Sequence, residues 1–109
     1  MGFMNNETFL VNKTYTGLNS IETYKKSWMM NTSWSSTSYF KENQTVYIKC
    51  TMPASSYEIS AITATGASGA TYSLEETTGN TSSAYIKWYK FYMPNEQVNV
   101  SVTCTAVTE

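Results

Sequence analysis

Hydrophobic and polar positions alternate most clearly near the C-terminus of the chain. On one face of an extended segment lie Val98, Val100, Val102, Cys104 and Ala106, and the residues between them are Asn, Ser and Thr. This period-two pattern predicts a strand with one buried and one solvated face. The same pattern at Val46, Ile48 and Cys50 predicts a second core strand, which ends before Pro53.

Residues 83–93 (SAYIKWYKFYM) are rich in aromatic and β-branched residues, which favours another strand. The sequence Met93-Pro94-Asn95-Glu96 follows and has the composition of a turn. These features predict an antiparallel hairpin between 83–93 and 98–106.

The middle of the chain carries a shorter alternating segment at Tyr57, Ile59 and Ala61, whose phase slips at Ile62. Such a slip predicts a β-bulge. Residues 65–70 (TGASGA) form a predicted glycine-rich turn, 71–75 a short strand and 76–83 a loop.

The first forty residues have less periodicity. Ser20 could cap a short helix over 21–29, where Ile21, Tyr24 and Trp28 have helical spacing, and the same stretch could be a strand. Residues 1–20 are predicted to form an N-terminal arm or an edge strand, and we expect the arm to be dispensable for folding.

Together these patterns predict an all-β protein. The expected fold is a small immunoglobulin-like antiparallel β-sandwich of about seven strands with an N-terminal arm. The chain has 109 residues, which is enough for one domain (1–109).

Composition narrows the function. The chain has no His, Asp or Arg, and its seven Lys are balanced by eight Glu for a net charge of −1. Catalytic triads, His-based zinc sites and a strongly basic nucleic-acid surface therefore lack their usual residues. No run approaches the roughly 18 apolar residues of a membrane span. We expect a protein that is not an enzyme, has no cofactor or metal, and binds neither nucleic acid nor membranes.

Residues 43–107 resemble the divergent bacterial surface repeats related to the internalin B-repeat. The matching segments are 45–50 (TVYIKC), Pro53, 57–59 (YEI), 91–94 (FYMP) and 98–102 (VNVSV). The resemblance implies a small β module that serves as a spacer or an interaction unit. Ser56 stands where the repeats usually have Gly, and no Trp-Gly pair follows the second strand.

Apolar residues outside this repeat-like core are candidates for a protein interface. Phe9 and Leu10, together with Phe3, lie in the predicted arm, and we expect them to pack against another chain. Trp28 and Trp34 flank a second apolar cluster, which could bind a partner or close one end of the core.

Two further groups of residues allow more than one interpretation. Cys50 and Cys104 are expected to be buried, reduced core cysteines, with a disulfide between them as the alternative. Lysines lie next to aromatic residues at 24–28 (YKKSW) and at 87–90 (KWYK). Cross-strand aromatic packing is the expected role of Trp88 and Tyr89, and glycan binding is the alternative.

The function expected from the sequence is structural. The chain starts at Met1 and shows no export signal, which favours a bacteriophage auxiliary (decoration or cement) capsid protein. Such a protein is made in the host cytoplasm, binds coat subunits or further copies of itself, and resides in the virion. The alternative is a β repeat module of a secreted or surface bacterial adhesin that binds a glycan or a host protein.

Overall fold

A computed structural model describes residues 7–26 and 33–107, and these residues form nine β-strands and no helix. In chain order the strands are β1 (Thr8–Thr16), β2 (Ser20–Lys26), β3 (Trp34–Ser36), β4 (Tyr39–Lys41), β5 (Thr45–Thr51), β6 (Tyr57–Gly66), β7 (Glu75–Thr77), β8 (Ile86–Tyr92) and β9 (Val98–Ala106).

The strands form two sheets that pack as a sandwich. One sheet has four strands in the order β4-β1-β9-β6, and the other has five in the order β3-β2-β5-β8-β7. The prediction of an all-β sandwich is therefore confirmed. The expectation of antiparallel pairing throughout is wrong at one place, because β1 runs parallel to β9.

The core lies between the sheets, and the two alternating segments of the sequence supply much of it. Val46, Ile48 and Cys50 of β5 and Val98 and Val100 of β9 have no exposed surface. Both predicted core strands are thus confirmed. Ala106, at the end of the β9 pattern, is exposed because the sheet ends there.

The predicted hairpin between 83–93 and 98–106 is wrong, because β8 and β9 belong to different sheets. Met93 completes the β5–β8 ladder: its N–H donates to the Gln44 carbonyl (2.9 Å), and its carbonyl accepts from the Asn43 N–H (2.8 Å). Pro94 has no N–H, so the ladder stops there and the chain crosses to the other sheet. The sequence pattern does not distinguish the two arrangements, because alternation marks only which face of a strand is buried, and strands of both sheets bury a face against the same core.

The prediction of an N-terminal arm or edge strand is wrong for the described part of this segment. β1 lies between β4 and β9 in the four-stranded sheet, and Val11 is 1% exposed in the core. Residues 11–16 pair with 98–103, so the partner of β1 is nearly ninety positions away along the chain. Such a parallel pairing has no local signal in the sequence.

The other local predictions concern the segment from residue 20, the β-bulge, and the turn and short strand that follow it. Residues 20–26 form a strand, so the helical alternative for this stretch is wrong. The β-bulge is confirmed, because the β6–β9 register shifts between Ile59 and Ala61. The turn at 65–70 is closed by a hydrogen bond from the Gly66 N–H to the Ala70 carbonyl (2.8 Å). The short strand follows later than predicted, at Glu75–Thr77.

Candidate binding site on the outer face of the five-stranded sheet

Aromatic residues occupy outward positions on three neighbouring strands of the five-stranded sheet. In β2, β5 and β8 the inward positions belong to core residues, so the alternate residues Tyr24, Tyr47 and Trp88 point to the outer face. Tyr24 pairs directly with Tyr47 across the β2–β5 ladder. Trp34 of β3 pairs with Lys26 and adds a fourth ring to the same face.

These four rings contact one another as one cluster. The Trp34 centroid lies 4.9 Å from that of Tyr47, 5.4 Å from that of Trp88 and 6.4 Å from that of Tyr24. The interplanar angles are between 47° and 78°. Tilted and edge-to-face pairs of this kind are favourable beyond the area that they bury. We call Tyr24, Trp34, Tyr47 and Trp88 the aromatic cluster.

The loop after β7 covers Trp88 from outside. The Trp88 indole N–H donates to the Thr81 carbonyl (2.9 Å). A Cβ on Gly79 would lie 2.1 Å from the indole ring, so the backbone of Gly79 sits directly against it. Although Trp88 occupies an outward position, it is only 3% exposed.

Charged residues border the cluster. Lys49 forms an ion pair with Glu22 (3.7 Å) on the same face. The pKa of the Tyr24 hydroxyl is raised by burial, by the negative charge of Glu22 and by a hydrogen bond to it. The Lys26 ammonium lies 5.1 Å from the centroids of both the Trp34 and Tyr47 rings, within cation–π distance.

A cleft of about 300 Å³ opens beside Lys26 and is lined by Lys26, Gln44, Thr45 and Tyr47. Gln44 follows a tight turn in which Asn43 adopts a positive φ of 71°. The Gln44 side-chain carbonyl accepts a hydrogen bond from the Lys41 N–H (2.9 Å). With the oxygen engaged, the amide nitrogen of Gln44 is the group that can donate to a ligand.

The outer face of the four-stranded sheet has a different chemistry. Two rows of side chains cross three of its strands, Asn12–Asn99–Thr65 and Thr14–Ser101–Thr63. All six are uncharged hydroxyl or amide residues. We call these six residues the hydroxyl face.

The interface residues predicted from the sequence do not form one patch. Phe9 pairs with the buried Phe40 and packs against the core, whereas its neighbour Leu10 points outward beside Tyr39, which is 56% exposed. Trp34 joins the aromatic cluster on the opposite sheet. Phe3 and Trp28 lie outside the described residues.

Both cysteines are buried and unbridged. Cys50 lies on β5 and Cys104 on β9, and their exposures are 0% and 4%. Burial raises the pKa of the Cys50 thiol to about 12, with a smaller contribution from Cys104. At neutral pH such a thiol carries almost no nucleophilic thiolate.

A small cluster of polar groups surrounds Glu96 at one end of the four-stranded sheet. Its carboxylate accepts hydrogen bonds from the Tyr72 hydroxyl, the Ser68 N–H (2.8 Å) and the Ser68 hydroxyl (2.9 Å). The hydrogen bond from Tyr72, followed by the one from the Ser68 backbone, lowers the pKa of Glu96. These contacts fix the turn at 65–70 against the start of β9.

Within residues 7–26 and 33–107, no three potential metal ligands (His, Cys, Asp or Glu) lie close enough together to hold an ion. The same residues contain no helix that is long and apolar enough to span a membrane. Comparison of the chain with known protein families, curated proteins and solved structures finds no match.

The sequence revealed only part of this site. Trp88 was predicted to take part in cross-strand aromatic packing, and its contacts with Tyr24 and Trp34 have this character. Gln44 and Thr45 carry no sequence signal, because a turn residue and the first residue of a strand have no pattern of their own. The available signal was that Tyr24 and Tyr47 occupy the positions of their strands that alternation assigns to solvent.

Proposed function

We propose that this chain is a non-enzymatic interaction protein, an auxiliary (decoration or cement) protein of a bacteriophage capsid that binds coat subunits. The virion is its proposed location. The supporting observation is the pair formed by Leu10 and Tyr39, which face each other across β1 and β4 on the outside of the four-stranded sheet. Tyr39 is 56% exposed and belongs to an edge strand of only three residues. Apolar and aromatic residues at an edge are suited to burial against a partner.

The proposal includes an immunoglobulin-like relationship. Nine strands in two packed sheets match the strand number of variable-type immunoglobulin domains. The strand order departs from theirs, because the last two strands lie in different sheets. Many cell-surface domains share the sandwich without sharing its topology.

Fractionation of infected or induced cells tests the capsid proposal. A tagged chain is expressed in the phage host, particles are purified on a density gradient, and the chain is sought by mass spectrometry in particle, envelope and soluble fractions. We expect it in the particle fraction at a fixed ratio to coat protein.

Substitutions at the proposed contact make this test specific. The double variant Leu10→Ser/Tyr39→Ser should leave the particles, whereas Tyr85→Ser, at another exposed tyrosine (44% exposed), should remain bound. Recovery of the wild-type chain in the envelope fraction alone would contradict the capsid function and favour the second candidate.

The second candidate is a β module of a secreted or surface adhesin that binds a glycan. The border of the aromatic cluster favours it, because there the Tyr47 ring lines an open cleft beside the side chains of Gln44 and Thr45, and an aromatic ring beside hydrogen-bonding groups is suited to a sugar ring. The resemblance of residues 43–107 to bacterial surface repeats agrees with this candidate. Glycan arrays probed with the purified chain test it, and complete absence of binding would contradict it.

A further inference from the structure

We propose that the cleft lined by Lys26, Gln44, Thr45 and Tyr47 binds a carboxylate-bearing saccharide, one acidic sugar unit at a time. The inference deepens the glycan-binding candidate and rests on it, and it does not depend on attachment to a capsid. It gives that candidate a defined site and a ligand class.

The charge of the cleft selects an anion. Among the described residues that line it, Lys26 is the charged one, and none is a carboxylate. Among the described residues Lys26 makes no ion pair, and its ammonium is held instead by cation–π contacts 5.1 Å from the rings of Trp34 and Tyr47. A strongly hydrated ammonium fixed in this way keeps donors available for a ligand.

The hydrogen-bonding groups beside Lys26 also favour an anionic ligand, because they can donate hydrogen bonds to it. The Gln44 oxygen is used by the Lys41 N–H, which leaves the amide N–H groups to donate. The Thr45 hydroxyl makes no hydrogen bond within the described residues and can either donate or accept. Two donor groups together with one hydroxyl are complementary to a carboxylate with a neighbouring sugar hydroxyl.

The size and position of the cleft favour a sugar over a peptide. A volume of about 300 Å³ is at the lower limit of small-ligand sites and suits one ring. The Tyr47 ring offers an apolar surface against the C–H face of that ring. A peptide strand would need free backbone groups, but here the backbone of β5 is already paired on both sides, with β2 and β8.

An NMR titration of the full chain tests the proposal with three probes: a uronic-acid trisaccharide, a neutral hexose trisaccharide of equal length, and acetate. We expect the acidic trisaccharide to bind with a Kd on the order of 0.1–1 mM and to shift the amide signals of Gln44, Thr45 and Tyr47. The signals of the hydroxyl face should not move. Binding should weaken as salt increases, because the contact is solvent-exposed.

Two variants identify the groups responsible. Lys26→Met keeps the aliphatic stem against the rings and removes the charge, and it should weaken binding by at least about tenfold. Gln44→Glu retains the oxygen that accepts from Lys41 but replaces the donor with a negative charge, and it should abolish binding. Lys87→Met is the matched control and should change the Kd by less than about twofold. Lys87 forms an ion pair with Glu76 near the start of β8, whereas the cleft lies near the end of that strand, where Thr45 pairs with Tyr92.

Each other outcome overturns a defined part of the proposal. Equal binding of the neutral and acidic trisaccharides, or unchanged binding by Lys26→Met, would refute the acidic-sugar site. Acetate binding as tight as the trisaccharide would show anion binding without saccharide recognition. If the wild-type chain binds neither trisaccharide and no glycan on an array, the glycan-binding candidate itself fails. Array binding of a neutral glycan alone would refute only the present inference.

Discussion

The two outer faces of the sandwich differ although their strands bury similar apolar residues. The five-stranded sheet carries the aromatic cluster, covered in part by the 78–83 loop, whereas the four-stranded sheet carries uncharged hydroxyl and amide side chains in rows. Alternation requires only that the outward residues tolerate water. One outer face is therefore packed like a second, smaller core with a cleft at its border, whereas the other is a solvated surface.

The largest expected effect comes from removing the start of β1, because this segment joins β4 to the rest of the four-stranded sheet. Deleting residues 2–11 removes Val11, which is 1% exposed, and the whole β1–β4 pairing. We expect the truncated chain not to fold, because β4 would lose the segment of β1 with which it pairs and the core would lose Val11, although residues 12–16 could still pair with β9. Circular dichroism and the dispersion of the NMR spectrum check this.

The control is Leu10→Ala, which changes an outward side chain of the same strand and should leave the chain folded. A folded truncated chain with native dispersion would restore the interpretation of this segment as a separable arm.

The next test compares one outward residue on each face. Trp88→Ala should lower the free energy of unfolding by about 3–5 kcal/mol, the cost of truncating a large buried aromatic residue. Thr63→Ala, on the hydroxyl face, should cost less than about 0.5–1 kcal/mol. Urea denaturation monitored by circular dichroism measures both.

Trp88→Phe, which keeps a ring but loses the hydrogen bond to Thr81, should fall between the two. Similar losses for Trp88→Ala and Thr63→Ala would contradict the view that one outer face acts as a core.

A smaller effect is expected where the loop meets the aromatic cluster. Gly79→Ala places a methyl group 2.1 Å from the Trp88 indole, so the loop must move, at a cost of about 1–3 kcal/mol. In the Trp88→Ala background this clash is absent, and the same substitution should cost little. A double-mutant cycle in urea measures the coupling, and additive effects would show that the loop does not rest on the ring.

How far the sequence predicts this molecule depends on the range of each interaction. Period-two alternation identified the core strands at 46–50 and 98–104, and the phase slip near Ile62 identified the bulge, because both are local consequences of strand geometry. The pairing of β1 with β9 and the separation of β8 from β9 were missed. Both depend on which sheet a strand joins, and each alternating segment fits either sheet.

The candidate site was less predictable for the same reason. Trp34 and Trp88 are separated by 54 positions in the sequence and come together only through the strand order β3-β2-β5-β8. Gln44 acquires its orientation from the turn at Asn43 and from the backbone of Lys41. No composition or spacing rule specifies either arrangement.

The pH dependence of stability probes the four-stranded sheet, where Glu96 fixes the 65–70 turn. Its hydrogen bonds, above all the one from Tyr72, lower the pKa of Glu96 in the folded state below its unfolded value of about 4.3. The contribution of Glu96 is therefore present above the unfolded pKa and is lost as the pH falls through the folded pKa.

Urea midpoints between about pH 6 and pH 3 measure this contribution. Glu96→Gln and Tyr72→Phe should each reduce the difference between the midpoints at the two ends of that range. Tyr57→Phe alters a tyrosine of the same sheet that bonds to no carboxylate in the described part of the chain, and it should keep the wild-type profile. Unchanged profiles in both test variants would show that this carboxylate does not couple the turn to β9.

Reducing agents are expected to leave the Tm unchanged, which is the smallest effect predicted here. This expectation tests whether a covalent bond joins the two sheets. Cys50 and Cys104 lie on β5 and β9 and are both free, so only packing connects these strands across the core. A disulfide would contribute about 2–4 kcal/mol, and its reduction would lower the Tm by roughly 10–20 °C for a domain of this size. We expect the same Tm with and without reductant. Since burial raises the pKa of Cys50 to about 12, we also expect thiol reagents to label it only when the protein unfolds. A lower Tm in reductant, together with a mass smaller by two hydrogen atoms before reduction, would show that a disulfide as well as packing joins the two sheets.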